Sequence, residues 1–200
     1  TASYGSAESV WASCYTVIAN ANFFISKVDY VENRVAEDEA FAETWSDEEL
    51  ELLKGHLAEA YFLRAYAHSI LVDRYCAAYD PVTATAENSG IPYVKEYVPT
   101  SDKEKYPARQ TLKENIEDIM TDLSEAEKTI GNLRDPEAGS NYITVDAIKA
   151  LRARVALASQ DYAQAIHDAT DIINSGEYAL VGTKDALEDL WVNDDAASEV

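Results

Sequence analysis

The sequence predicts an all-α protein of stacked helical pairs, and three segments carry that expectation. Gly55 to Tyr75, GHLAEAYFLRAYAHSILVDRY, spreads apolar residues over most of a helical circumference, so it has to be buried on several sides. In the stretch after Thr111, the residues Leu112, Ile116, Ile119, Leu123, Ala126 and Ile130 recur every three or four positions, which is one buried helical face. From Thr144 to Leu180 the chain reads as two helices joined at Gln160-Asp161-Tyr162, with Ala153, Ala165 and Ala169 small enough to let them approach and Tyr162 placed to fill the corner. That last unit has a tetratricopeptide-like character, and the whole is expected to be a right-handed stack of about five helices.

In chain order, the first helix is expected over Val10 to Val28, where Trp11, Cys14, Val17, Ile18, Ala21, Phe24, Ile25 and Val28 form one stripe. The second should run from about Asp47 to Tyr75. It is preceded by Ser46 with Glu49 three residues on, a pairing that satisfies two orphan amides at a helix start, and Gly55 is a tolerable weak point. Between Cys76 and Ala108 the periodicity is lost and four of the five prolines appear (Pro81, Pro92, Pro99 and Pro107), so a long irregular excursion replaces helix there. Thr111 with Glu114 opens the third helix by the same device as Ser46. Gly131 to Tyr142, with Pro136 and Gly139, reads as a linker. Thr144 and Asp161 then cap the fourth and fifth helices.

Two hundred residues suffice to bury roughly 70% of the unfolded surface without metals or disulfides. The 16 Lys+Arg against 37 Asp+Glu give a formal charge of −21, which repels phosphate backbones and anionic headgroups, so no nucleic-acid partner is expected. Cys14 and Cys76 lie in or at the end of apolar helical patterns and read as small buried hydrophobes. No apolar run approaches the roughly 18 to 20 residues of a membrane span. The chain, 1–200, is expected to be a single helical domain and a fragment of a longer protein.

The residue patterns of common catalytic sites are missing. His56, His68 and His167 are scattered, no HExxH, CxxC or calcium loop occurs, and no metal or cofactor is expected. Nothing resembles a nucleophile elbow or a phosphate-binding glycine loop, so no catalytic residue is assigned. Acidic runs such as Glu37-Asp38-Glu39, Asp47-Glu48-Glu49 and Asp194-Asp195 are read as solvated surface or as helix-dipole complements. Glu59 and Arg64 sit in the most buried helix and should each meet a partner, a structural role. Tyrosine is frequent, 13 residues, and Tyr79, Tyr93, Tyr97 and Tyr106 fall in or beside the excursion. Of these, Tyr79, Tyr93 and Tyr97 are the candidate ligand-binding residues, because loop rings can stack on apolar sugar faces, the alternative being that they pin the loop to the helices.

Taken in this order, AEAYFLRAYAHSILVDRY followed by GIPYV, then YPARQTLKENIEDIMTDLSEAEKTI, then AIKALRARVALASQDYAQAIHDATDIINSGEYAL with Leu187-Glu188-Asp189-Leu190-Trp191, the chain resembles the SusD/RagB family of outer-membrane nutrient-binding lipoproteins. Arg109, Thr111, Glu114, Ile119, Asp122, Leu123 and Ala126 match or nearly match one of that family's elements. Cys76 departs from it, standing where a glycine commonly follows. The resemblance implies a protein that is not an enzyme, held at the bacterial cell surface by an N-terminal lipid anchor absent from this chain. It would take glycans or other nutrients and pass them to a SusC-like TonB-dependent transporter. It carries over scaffold positions and no binding residue. Two other classes are weighed against it: a tetratricopeptide-type adaptor holding a peptide in a groove, and an α-helical glycosidase, which needs two opposed carboxylates.

Overall fold

The computed structural model of the protein describes residues 7–133, 142–178 and 181–192. Among them are helices α1 (Ala7–Glu37), α2 (Glu39–Ala42), α3 (Asp47–Tyr75), α4 (Leu112–Ile130), α5 (Val145–Ala158), α6 (Tyr162–Ser175) and α7 (Lys184–Val192), with no strand. The five expected helices are α1, α3, α4, α5 and α6. The middle of the expected linker, 134–141 with Pro136 and Gly139, and the pair Asp194-Asp195 lie outside the described residues.

The helix starts follow from the caps. Ser46 Oγ accepts from the Glu49 amide at 3.2 Å while Glu49 accepts from the Ser46 amide at 2.8 Å, and Thr111 and Glu114 repeat the exchange at 3.2 and 2.8 Å. Thr144 accepts from Ala147 and Asp161 from Gln164. The first helix runs further than its apolar stripe, to Glu37, because its last turns are held laterally: Arg34 donates to Tyr30 Oη at 3.0 Å and to Asp38 at 2.7 Å, and its guanidinium lies over the Phe41 ring.

Burial on several sides is what α3 shows. One side packs on α1 through Ala21, Ile25, Val28, Leu57 and Ala60, and the other meets α4 and α5 through Ala58, Ala65, Ile119, Leu123, Ile148 and Val155. The pair α5–α6 is joined by Ser159-Gln160-Asp161, with Gln160 in the left-handed region at φ 64°. Tyr162 does not fill that corner. It is 58% exposed and shares an outward stripe with the exposed Ile166 and Ile173, because the corner is already closed by the Asp161 amide bonding Ala156 O at 2.8 Å. The helices are instead fastened by a buried ion pair, in which Arg152 Nε and Nη2 donate to Asp168 at 2.7 and 2.8 Å and Nη1 reaches Glu127 of α4.

A second buried pair organises α3 and α4. Arg64 Nε and Nη2 donate to the two Asp122 oxygens at 2.7 and 2.6 Å, and Nη1 donates to Asn22 Oδ1 of α1 and to the Lys95 carbonyl. Tyr93 Oη donates to Asp122 at 2.6 Å. A bidentate fork with its remaining donors satisfied is the geometry in which the attraction can offset the cost of taking both charges out of water. Glu59, by contrast, is half-buried and pairs with His56 Nδ1 at 2.8 Å.

Removing one member of such a pair leaves the other buried and uncompensated. Asp122→Ala should lower the unfolding free energy by about 3 to 5 kcal/mol in urea denaturation; a loss below about 1 kcal/mol, the range of exposed pairs, would show that the pair holds nothing.

Candidate functional site

The excursion is irregular apart from 3-10 turns at Thr83–Thr85 and Lys103–Lys105, yet its stretch Gly90 to Lys95 is as firmly placed as a core strand. Burial alternates along it: Ile91 and Tyr93 point into the helical core, while Pro92 and Val94 are half-buried on the other side. That two-residue period belongs to extended chain; among the described residues no strand flanks it, and its backbone meets other backbone at Gln110, whose carbonyl accepts from the Gly90 amide at 2.9 Å and whose amide donates to the Ile91 carbonyl at 3.2 Å. Side chains, most of them from the helices, take others. Asn115 Oδ1 accepts from the Ile91 amide at 2.6 Å, and its Nδ2 donates to the Ile91 carbonyl at 3.0 Å. Tyr15 Oη donates to Pro92 O at 2.7 Å, Asn22 Nδ2 to Val94 O at 2.8 Å, and Arg109 Nε to Gly90 O at 2.7 Å. A β-carbon on Gly90 would lie 2.1 Å from Asn115 Oδ1 and 2.7 Å from Thr111 O, so only glycine lets the segment come this close.

His68 completes the clamp. Its Nδ1–H donates to the Arg64 carbonyl at 2.8 Å and its Nε2 accepts from the Val94 amide at 3.2 Å, which fixes the neutral tautomer. The imidazole lies flat on the Tyr93 ring, centroids 3.7 Å apart. Burial pushes its pKa down to about 3.

With Ile91 and Tyr93 turned inward, Pro92, Val94 and Glu96 are left to floor a groove against α1. The α1 wall is Trp11, Tyr15, Ile18 and Ala19; the outer lip is Tyr97, Val98, Pro99, Tyr106 and Pro107, and the groove encloses about 530 Å3. This is within the range of small-molecule sites. Three prolines, Pro92, Pro99 and Pro107, restrict its backbone. Tyr97 and Tyr106 are 45% and 54% exposed. Tyr97 leans edge-on against Phe23 at 5.1 Å, and Trp11 is braced by Tyr15 at 5.0 Å and Tyr75 at 4.9 Å. Rings held by other rings present their faces at little further entropic cost. Glu96 is the one carboxylate among the described lining residues.

The three tyrosines singled out in the sequence therefore separate. Tyr97 lies on the groove. Tyr93 corrects the expectation of a displayed ring: it is 7% exposed, with its hydroxyl on Asp122, and supports the groove from beneath. Tyr79 is half-buried away from the groove, where its carbonyl accepts from Gln160 Nε2 at 3.1 Å. Trp11 and Tyr15 were missed as site residues because their i, i+4 spacing reads as helix packing, and nothing local says that a distant loop completes the wall.

Cys14 and Cys76 are free thiols of one apolar cluster, both pushed up by burial. Among the described residues no group of three His, Cys, Asp or Glu side chains could hold a metal ion, and no helix is long and apolar enough to cross a membrane.

Residues 2–157 match the SusD-like_3 family, described as "Starch-binding associating with outer membrane". The chain belongs to this SusD-like family. The match spans α1 to α5, and so takes in Arg64, Asp122 and the whole groove. Two solved structures from Bacteroides vulgatus share the SusD-like fold. One, described as a candidate sugar binding protein, is 24% identical with a TM-score of 0.68 over 98% of this chain. The other, described as a SusD superfamily protein, is 23% identical with a TM-score of 0.61 over 90%. The chain spans 39% and 37% of their lengths. No curated protein matches it.

Neutral His68 gives a pH signature. Its folded pKa lies below the unfolded value of 6.5, so as pH falls through 6.5 the unfolded chain binds a proton that the folded chain refuses, and stability is lost. Between pH 6.5 and 5.5, above the range where the capping carboxylates Glu49 and Glu114 add their own loss, unfolding free energy should fall by about 1 kcal/mol. Urea denaturation across that window checks this; a flat profile would mean that His68 is not held neutral.

Proposed function

We propose that this chain is the helical part of a cell-surface protein that captures glycans without cleaving them and delivers them to a SusC-like TonB-dependent transporter in the outer membrane. The observation that carries the reading is the groove between α1 and the excursion. Trp11, Tyr15, Tyr97 and Tyr106 line it together with three prolines, and flat apolar platforms with a few polar edges are what sugar rings stack on. Glycosidic cleavage in its usual form needs two carboxylates flanking the bond, and Glu96, the single carboxylate among the described lining residues, favours binding over hydrolysis. The family description, starch-binding and associated with the outer membrane, points the same way. A lipid anchor and the transporter contact belong to this reading of the whole protein.

Stacking on one ring contributes about 1 kcal/mol, so several contacts must act together, some of them from the rest of the protein. Calorimetric titration of the full-length protein with neutral oligosaccharides, maltooligosaccharides first, tests the assignment. Trp11→Ala, Tyr97→Ala and Tyr106→Ala should each weaken binding by about three- to tenfold, while Tyr79→Ala leaves it unchanged. Affinity unaltered in all three groove variants would remove the groove from glycan binding.

A further inference from the structure

Arginine is scarce in this acidic chain, and most of the described arginines are engaged. Arg34 holds Asp38, Arg64 holds Asp122, Arg109 donates to the Gly90 carbonyl, and Arg152 holds Asp168 and Glu127. The two others, Arg74 and Arg154, make no hydrogen bond or ion pair with a described residue. Both line the same notch, between the C-terminal half of α3 and the face of α5.

The notch encloses about 280 Å3. Tyr66, Ile70 and Arg74 project into it from α3 at four-residue steps, which is one helical face. Leu151 and Val155 of α5 are buried and give it an apolar floor, and the exposed Arg154 flanks them. Asp73 is the single carboxylate among the described lining residues. Two guanidiniums beside an apolar floor and a half-exposed tyrosine ring suit a ligand with a carboxylate on one edge and an apolar face on the other. The guanidinium fork matches a carboxylate in shape as well as charge. The overall charge of −21 opposes an anion at long range, but at physiological salt it is screened beyond about 8 Å, so the nearby arginines decide.

We propose that this notch binds the uronic acid residues of acidic glycans, the carboxylate between Arg74 and Arg154 and the apolar ring face against Tyr66 and Ile70. The inference rests on the reading of the protein as a glycan-capture protein but uses a separate site from the aromatic groove. A ring-sized cavity favours a sugar over the extended backbone of an acidic peptide, which would need a longer trough.

The test is calorimetric titration of the full-length protein with trigalacturonate, and with whichever neutral oligosaccharide binds the aromatic groove, at low and high salt. Both arginines are exposed and make no hydrogen bond or ion pair with a described residue, so Arg74→Gln and Arg154→Gln should fold normally, as circular dichroism would verify. Trigalacturonate binding should weaken about tenfold in each variant and fall further in high salt, while the neutral sugar binds all proteins alike. Absence of trigalacturonate binding, or an affinity indifferent to both substitutions, overturns the notch assignment and leaves glycan capture standing. Failure of every sugar overturns both. An oligoglutamate peptide, or acetate alone, that displaces trigalacturonate at equal or lower concentration would show a peptide or generic anion site and contradict the sugar assignment.

Discussion

The Arg64–Asp122 pair is the interaction on which the rest of this structure depends. One guanidinium joins four parts of the chain: α3, which carries it, α4 through Asp122, α1 through Asn22, and the excursion through the Lys95 carbonyl. Asp122 returns to the excursion through the Tyr93 hydroxyl. An apolar plug at the same place would bury as much surface but would not distinguish one register of Gly90 to Lys95 from the next. With a two-residue period, a slip of one position would turn Pro92 and Val94 inward and expel Ile91 and Tyr93. The buried polar groups make that slip costly, since each displaced donor or acceptor would be left unsatisfied in the core.

The groove follows from this constraint. Its floor is the outward side of a segment whose inward side is core, so its shape is set by helix packing more than by loop chemistry. Function-bearing residues on a loop held by a rigid scaffold are a common arrangement. Here the scaffold reaches into the loop with the helix side chains of Tyr15, Asn22, His68 and Asn115, joined by Arg109 and the Gln110 backbone from the stretch before α4, and together these do the work of an adjacent strand. A second buried pair, Arg152–Asp168, fastens α5 to α6, and Glu127 ties Arg152 to α4. The helical pairs are thus joined by these two buried charged pairs, and α5 and α6 also by Lys149–Asp171, as well as by apolar contact.

Much of the scaffold was legible in the sequence because its signals are local. Ser46 with Glu49 and Thr111 with Glu114 mark helix starts through contacts three residues apart, and the apolar wrap of Gly55 to Tyr75 states that α3 is central. The sequence also marks Arg64 as a charge needing a partner, but it cannot name Asp122, 58 positions away. The same limit explains Tyr93. A tyrosine in a proline-rich loop looks displayed, and only the fold reveals that its hydroxyl has a buried acceptor. Trp11 errs in the opposite direction, reading as core because half of a groove wall and half of a helix interface have the same periodicity. Tyr162 was placed inside a corner that backbone bonds and the Asp161 cap already close.

The central claim is that an irregular loop segment is part of the core because helix side chains, with a short backbone pairing at Gln110, hold it where a strand would. Residue-resolved amide hydrogen exchange measures this directly. The amides of Ile91 and Val94, bonded to Asn115 and His68, should open only with free energies close to that of global unfolding, while those of the exposed residues Glu96 and Tyr97 exchange through small local fluctuations. Exchange at Ile91 and Val94 as fast as at Glu96 and Tyr97 would contradict the account, because the segment would then be a loop resting on the helices instead of a member of their core.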